Sequence, residues 1–499
     1  MVVQFRKFFQ NDVFWVIIIF LSAAIFRVFF LNLSEFKIDE ARIFDQIISF
    51  YENPALVQRG IPSSLGTYNF PLFSYFMIVL GFFSKNPLTL NFLIALINAS
   101  LVPVFFITSR RFFSRNVAII ASLFIAFSPW AILFSRKIWA QDLIFLLLVP
   151  LFYSLNSFFI RRKTEDIFWV FLLLTLLAQL HGSGIFLALS VIITILILRR
   201  KVSYYRISLG IITGLISAIP FLIFQLTSNP ICPDCIALLN YQSSLKFFDA
   251  SAFIRPFQAL NMLGFGFVLG FDYLEFVKFF PIQILRYFFA ISMLIFVAGV
   301  LRIIKGEREH LYLLLLVLII PFLYFLTRTK AYMHYYIILL PFIAIIYASG
   351  VEFLYKFSKN YFFKAFIISV LLFFLGTNIL FEITFNQFLL HKKLIEGDYG
   401  AIFSQTEEWV RNETEQYSRR NDYSKIRSIG YVSLIPPLIH KNLGKYFMEQ
   451  GNFEDAISEY EKALILLDQR DDEVKQNLIS LYYKTGRAEK AEKVEKSQL

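Results

Sequence analysis

Asp39 and Glu40 are the residues best suited to chemistry, an acidic pair in LSEFKIDEARIFDQIISFYE just beyond the first long apolar run. A carboxylate held at a membrane surface can take a proton from an acceptor hydroxyl or amine as that atom attacks an electrophilic carbon. Low local dielectric raises its pKa and eases that role near neutral pH. A plainer use is also open, with Ile38 as a hydrophobic staple and Asp39 as a helix N-cap. The two uses are compatible.

A second group lies in SPWAILFSRKIWAQD. Ser128-Pro129 falls inside an apolar run and is placed to kink it. Arg136 suits a phosphate oxygen, and Asp142 suits a substrate hydroxyl or an arginine. A solvated loop accounts for the basic pair and the acid equally well. The third group is TRTKAYMHYYIILLPF. Arg328 and Lys330 are cations that can hold a phosphate and stabilise it as a leaving group, with His334 and Tyr335 at the start of the next run. Snorkelling cations and an aromatic belt are the alternative. His181 in QLHGSG is a weaker candidate, since Gly182 and Gly184 serve close helix packing. Tyr68 and Asn69, before Pro71 in GTYNFPLFSYF, suit an acceptor entrance or a simple turn before a helix.

The elements that must position these residues are membrane helices. The chain of 499 residues is 57% hydrophobic and only 17% charged, with a mean hydropathy of +0.62. A soluble domain carries about a quarter charged residues. The apolar residues come in blocks near twenty long, and lipid leaves such blocks no choice but helix. The expected fold class is an all-α polytopic membrane protein of about eleven transmembrane helices.

Net charge is +12, yet residues 441–499 hold 10 basic and 12 acidic residues, so the first 440 carry +14. That excess sits in short loops between apolar runs, where orientation signals belong. It argues against nucleic acid as a partner. Arg6 and Lys7 place the N-terminus in the cytoplasm, and the first run is expected to be retained as a helix rather than cleaved. Phe70 to Phe83 is too short for a span. Treated as interfacial, it leaves Arg110, Arg111 and Arg115, then Arg161 to Lys163, then Arg199 to Arg206, then Arg302 to Arg308, then Lys356 to Lys364 all on the cytoplasmic side. The loops with Asp39, Arg136, His181 and Lys330 then lie outside, as does the tail. Cys232 and Cys235 in CPDC supply two ligands at most, and a local disulfide is the favoured use.

The tail has its own signal. Gly451 and Gly486 are 35 residues apart, as are Ala456 and Ala491. Small residues recurring at that period match a tetratricopeptide-like helical repeat, whose period is 34. The organisation expected is a transmembrane core over 1–380 with an external juxtamembrane loop at 32–88. An external linker follows over 381–440, and a repeat region over 441–499 serves as a docking element for a protein partner.

With these residues in place, the chain resembles the multi-spanning glycosyltransferases that use lipid-phosphate sugars. The branch is that of the dolichyl-phosphate-mannose protein mannosyltransferases and the lipid A aminoarabinose transferases. Asp39-Glu40 matches the family's acidic pair in the first external loop. Tyr68 to Leu72 matches its proline-rich patch in part, with Phe70 where a second proline is frequent. Ser128-Pro129, Ser135-Arg136 and Asp142 match a further segment, and Lys330, His334-Tyr335 and Pro341 the late basic-aromatic one. The resemblance covers about residues 10 to 350. It implies a GT-C type core and an inverting transfer from undecaprenyl or dolichyl phosphate on the outer face of a prokaryotic plasma membrane. Asp39 would be the general base, and Arg136 and Lys330 would hold the phosphate. Some relatives hold a divalent ion; no metal cluster is legible here, so metal is left unassigned. The acceptor, whether glycan, lipid or protein, is not specified, and the repeat-bearing tail departs from the best-known members.

Two other functions compete. A transporter or flippase of lipid-linked sugars calls for inverted repeats and broken central helices with polar residues, and neither is legible. A membrane assembly factor docking proteins through the repeat explains the tail but not Asp39, Arg136, Asp142 and Lys330.

Overall fold

The computed structural model describes residues 11–63, 66–84, 86–228, 236, 248–280, 283–306, 308–357, 359–405, 436–466 and 472–496. Cys232, Cys235 and residues 406–435 of the expected 381–440 linker lie outside them. The described residues are almost entirely helical, with isolated β-bridges in place of a sheet.

Helix α1 is Asp12–Val28, with Asn11 accepting from the Val13 N–H at its start. After it come α2 (Ile38–Glu52), α3 (Leu72–Gly81) and α4 (Pro87–Ser109). Helix α4 starts where its sequence says it should, with Asn86 as cap and Pro87 in the first turn. Helix α3 has ten residues, about 15 Å of rise against a hydrocarbon core about 30 Å thick. Asn91, near the start of α4, donates to Ser34 Oγ at 3.0 Å, so the chain re-enters the bundle beside the place where α1 left it. The α2–α3 pair therefore lies along one end of the bundle, as expected for an interfacial segment.

Helix α5 (Arg115–Ala126) stops at Ser128-Pro129 rather than kinking there. Proline lacks the N–H that would continue the ladder, and it pushes the preceding residue out of the helical region. Ser128 instead caps a new short helix, α6 (Pro129–Leu133), by accepting from Ala131 N–H at 3.1 Å. The carbonyls of Ile125 and Ala126, freed by the break, accept from the buried Arg27 guanidinium at 3.0 and 2.9 Å.

Next are α7 (Ile144–Phe159), α8 (Ile167–Leu180), α9 (Ser183–Ile197), α10 (Tyr204–Leu215) and α11 (Ile219–Thr227). The stretch from 253 to 280 forms short helical turns and no span. The last long helices of the core are α12 (Gln283–Ile304), α13 (Leu311–Leu326), α14 (Leu340–Phe357) and α15 (Tyr361–Lys392). Among the described residues seven helices are long and apolar enough to cross a membrane, and three apolar helices, Leu72–Gly81, Arg115–Ala126 and Ser183–Ile197, are shorter. Length and composition thus do not establish the expected count of about eleven.

The basic loops gather at one end. Arg115 pairs with Asp12 at 2.8 Å, Arg162 with Glu309 at 2.5 Å, and Arg161 donates to the Arg111 carbonyl at 3.0 Å. Ser114 donates to Glu352 at 2.6 Å, and Lys356 pairs with the same carboxylate at 3.0 Å. Four loops, with contacts spanning up to 238 residues of sequence, thus form one surface with the start of α1.

Helices α12 and α14 cross through a pair of glycines. A Cβ at Gly350 would sit 2.0 Å from the Ile295 carbonyl oxygen, and one at Gly299 2.0 Å from that of Ile346. Backbones this close leave no room for a side chain. Gly350→Val is expected to destabilise the bundle by about 1–3 kcal/mol or more. Thermal unfolding in detergent checks this against Gly376→Ala, where nothing lies within 4 Å.

The tail forms two helical hairpins, α16 (Pro436–Glu449) with α17 (Phe453–Leu466) and α18 (Asp472–Lys484) with α19 (Ala488–Lys496). Both inter-helix turns use a glycine at positive φ, Gly451 at 73° and Gly486 at 76°. Gly444 lets the Tyr460 ring lie against the first helix, where a Cβ would meet it at 2.9 Å.

Candidate active site

A cavity of about 1420 Å³ lies at the end of the bundle away from the basic loops. Its wall is drawn from the connections after α1, before α3, between α6 and α7, between α8 and α9, between α13 and α14, and after α15. These are the loops expected to share one side, and Asp39, Glu40, Asn69, Lys330, His334 and Tyr335 all line it.

Asp39 is not the cap of its helix. Lys37 occupies the N-cap, and its N–H donates to Glu40 Oε2 at 2.9 Å. Glu40 therefore closes the helix start, as the glutamate of a capping box does. Asp39, in the first turn, has no hydrogen bond or ion pair among the described residues and turns to the cavity. Burial raises its pKa, against the opposing fields of Arg42 and Lys137.

Lys137 is the hub of the charges behind it. Its Nζ lies 2.8 Å from Glu35 Oε2, 3.8 Å from Glu40 Oε1 and 4.0 Å from the Trp139 ring centroid. Its own N–H donates to Asp142 Oδ2 at 2.9 Å. Burial pulls the Lys137 pKa down, but Glu35, Glu40 and Asp142 outweigh it and hold it raised. Burial likewise pushes Glu35 up, and Lys137 and Lys37 outweigh it and keep it low. Glu40 is pushed up to about 7, chiefly by burial, with Lys137 opposing. Lys37 also pairs with Glu35 and donates to the Asp398 carbonyl.

A strap formed by the residues after α15 holds this corner. Phe403 N–H donates to the Ser34 carbonyl at 2.9 Å, Tyr399 OH to that of Leu33 at 2.5 Å, and Tyr399 N–H to that of Val268 at 3.0 Å. Gly397 makes the crossing feasible, since a Cβ there would lie 2.3 Å from Gly270 N.

The remaining candidates are elsewhere. Arg136 is buried and donates to the carbonyls of Phe30 at 2.6 Å and Phe29 at 3.1 Å, in the turn that follows α1. The Phe30 carbonyl also accepts from the Leu33 N–H at 2.9 Å. Arg136 borders a separate small pocket with Glu382 and Tyr399. Arg328 lies 4.5 Å over the Phe248 ring, away from the cavity lining. Asp142 is fully buried behind the wall; Asn98 donates to its carbonyl at 2.8 Å. It holds the 137–142 turn. Tyr68 packs edge-on against Phe224 at 5.8 Å, with Arg59 4.0 Å over its ring, and does not line the cavity. Its neighbour Asn69 does, held through its backbone by Gly60 and Ile61.

Lys330 lines the cavity with no carboxylate in ion-pair range among the described residues. Its Nζ lies 4.9 Å from the Tyr332 ring. Glu35, Lys37, Trp139, Gln141 and Asp398 also line the cavity and escape the motif analysis. Only Glu35 and Lys37 carry a local signal, being charges placed directly after the first span. Among the described residues no three His, Cys, Asp or Glu side chains come together as a metal site.

No curated protein matches the chain. The tetratricopeptide repeat family matches residues 437–469. Among solved structures, ArnT from Cupriavidus metallidurans bound to undecaprenyl phosphate is similar with a TM-score of 0.52 at 13% identity, over 82% of this chain and 81% of that one. The Archaeoglobus fulgidus oligosaccharyltransferase tethered to an acceptor peptide is similar with a TM-score of 0.50 at 13% identity. That match covers 85% of this chain but only 59% of the oligosaccharyltransferase. The chain thus shares the helical membrane-protein fold of these two structures, with a match to the tetratricopeptide repeat in its C-terminal region.

Proposed function

We propose that this protein is an inverting glycosyltransferase that moves a sugar from a polyprenyl-monophosphate carrier to an acceptor. The observation that carries the proposal is that a carboxylate, Asp39, and a cation, Lys330, neither of them ion-paired among the described residues, face one large cavity at one end of a membrane bundle. Asp39 takes the proton of the acceptor hydroxyl or amine as its oxygen or nitrogen bonds to the anomeric carbon. The bond from that carbon to the phosphate oxygen breaks on the opposite face, and its electron pair leaves with the polyprenyl phosphate. Lys330, with His334 and Tyr335 beside it, stabilises that departing charge. Arg136, expected beside Lys330 on the phosphate, is instead spent on the Phe29 and Phe30 carbonyls, and Lys137 holds the carboxylates of the pocket in register. The undecaprenyl phosphate bound by ArnT in the same fold supports a polyprenyl phosphate as carrier.

The cavity end is assigned to the extracytoplasmic face of a prokaryotic plasma membrane, because the basic loops collect at the other end. The repeat follows α15, whose end carries the cavity strap, and is assigned to the same side as a docking element for a protein partner.

Purified protein in lipid vesicles, given radiolabelled sugars on polyprenyl monophosphate and on polyprenyl diphosphate with a crude acceptor extract, tests this. Transfer from a monophosphate donor is expected. Transfer only from a diphosphate donor, or from none with the protein folded, would sink the proposal.

A further inference from the structure

Between the carboxylate corner and Lys330 runs a continuous row of rings. Lys137 Nζ is 4.0 Å from the Trp139 ring, and Trp139 is 5.1 Å from His334 in an edge-on contact. His334 stacks on Tyr332 at 5.6 Å with the planes 12° apart, and Lys330 Nζ is 4.9 Å from Tyr332. His181 backs the row, 5.6 Å from His334. All of these side chains line the cavity.

The polar edges of the row are unspent. Among the described residues the Trp139 indole N–H, the His334 ring nitrogens and the Tyr332 hydroxyl have no hydrogen-bond partner, and each side chain is only half-buried. Elsewhere Trp130 donates to the Leu263 carbonyl at 3.1 Å and Tyr399 to that of Leu33 at 2.5 Å, while the Tyr312 and Tyr336 hydroxyls are buried without a partner among the described residues. Flat apolar faces edged with free donors and acceptors match a pyranose ring, whose C–H face stacks on aromatics while its hydroxyls bond outward.

The row also lacks free charge. His181 Nδ1 lies 2.7 Å from Ser183 Oγ and 3.2 Å from the Ser183 N–H, and burial pushes its pKa down to about 4, which favours the uncharged imidazole. Lys137 is already matched by Glu35 and Glu40. Among the described residues, the three rings of the row themselves carry no carboxylate or ammonium to pair with a charged substituent on the sugar.

We propose that Trp139, Tyr332 and His334 form the platform for the donor's sugar and select a neutral pyranosyl group. The inference rests on the lipid-phosphate donor proposed above, and it explains why the base and the phosphate cation stand at opposite ends of the row. Its test is binding by the full-length protein in detergent of three probes: polyprenyl-phosphate mannose, polyprenyl-phosphate glucuronic acid and bare polyprenyl phosphate. Wild type is expected to bind the mannosyl probe tightest. Trp139→Ala should weaken the mannosyl probe about tenfold and leave bare polyprenyl phosphate within about twofold, with Trp139→Phe recovering most of the loss. Equal weakening of the mannosyl and bare probes, or no change in either, overturns the platform while leaving the donor class intact. A wild type that binds none of the three overturns the donor class itself.

Discussion

Asp39→Asn is expected to lower sugar transfer by about 10²–10⁴-fold, the usual contribution of a general base, with donor binding unchanged. The change is close to isosteric, and it spares the helix start, because the Lys37 N–H is satisfied by Glu40 at 2.9 Å rather than by Asp39. A loss of activity therefore reports on chemistry and not on an unravelled α2. The pH dependence gives a second measure. The base works deprotonated, so activity falls as pH drops through its pKa, and burial lifts that pKa above the ordinary value of 3.8. The acid limb of the rate profile should sit correspondingly high. Glu40, pushed up to about 7, is the competing source of such a limb. Glu40→Gln keeps an oxygen to accept from Lys37 N–H, so a limb that survives this change belongs to Asp39. One that vanishes with it, alongside full activity in Asp39→Asn, would move the base to Glu40.

Removing Lys137 should do the most structural damage. Lys137→Met leaves Glu35 and Glu40, 4% and 1% exposed, facing each other without the cation that lies 2.8 and 3.8 Å away. Stripping one partner from a buried ion cluster costs about 3–5 kcal/mol, because the remaining charge is neither solvated nor matched. Lys37 still contacts Glu35, which places the expected loss toward the lower end. The double variant Lys137→Met with Glu35→Gln should recover part of the stability, since it removes the orphaned charge too. Thermal unfolding of the four proteins measures the coupling; strictly additive losses would show that the pair does not interact. The linkage of Glu40 has a definite sign. Between its ordinary value of 4.5 and about 7 the folded protein holds more protons than the unfolded chain, so this residue's contribution to stability falls as pH rises through that window.

Much of the architecture is legible along the chain because lipid permits so little. Apolar blocks of span length must be helices, and the lysines and arginines between them sort the loops into two sets. The structure brings one set together through Asp12, Glu309 and Glu352 and the other around a cavity. The repeat was legible because small residues recur at one period, and Asp39 because an acidic pair follows the first span. The Ser128-Pro129 break was placed correctly but not as a kink, since only the fold brings Arg27 to the carbonyls it frees.

What the tertiary structure alone decided is which charges face the cavity. Arg136 and Lys137 are neighbours in an irregular turn, where no period assigns a direction. Arg136 is drawn to the carbonyls of Phe29 and Phe30 just past α1 and Lys137 to Glu35. Lys37 meets Asp398, 361 residues away, and the strap around Gly397 sets the start of α2 from the far end of the core. Local sequence determines which residues are helical and how deep they sit, because those terms depend on each segment and its solvent. Which buried charge answers which is a sum over neighbours remote in the chain, and only the packed structure evaluates it.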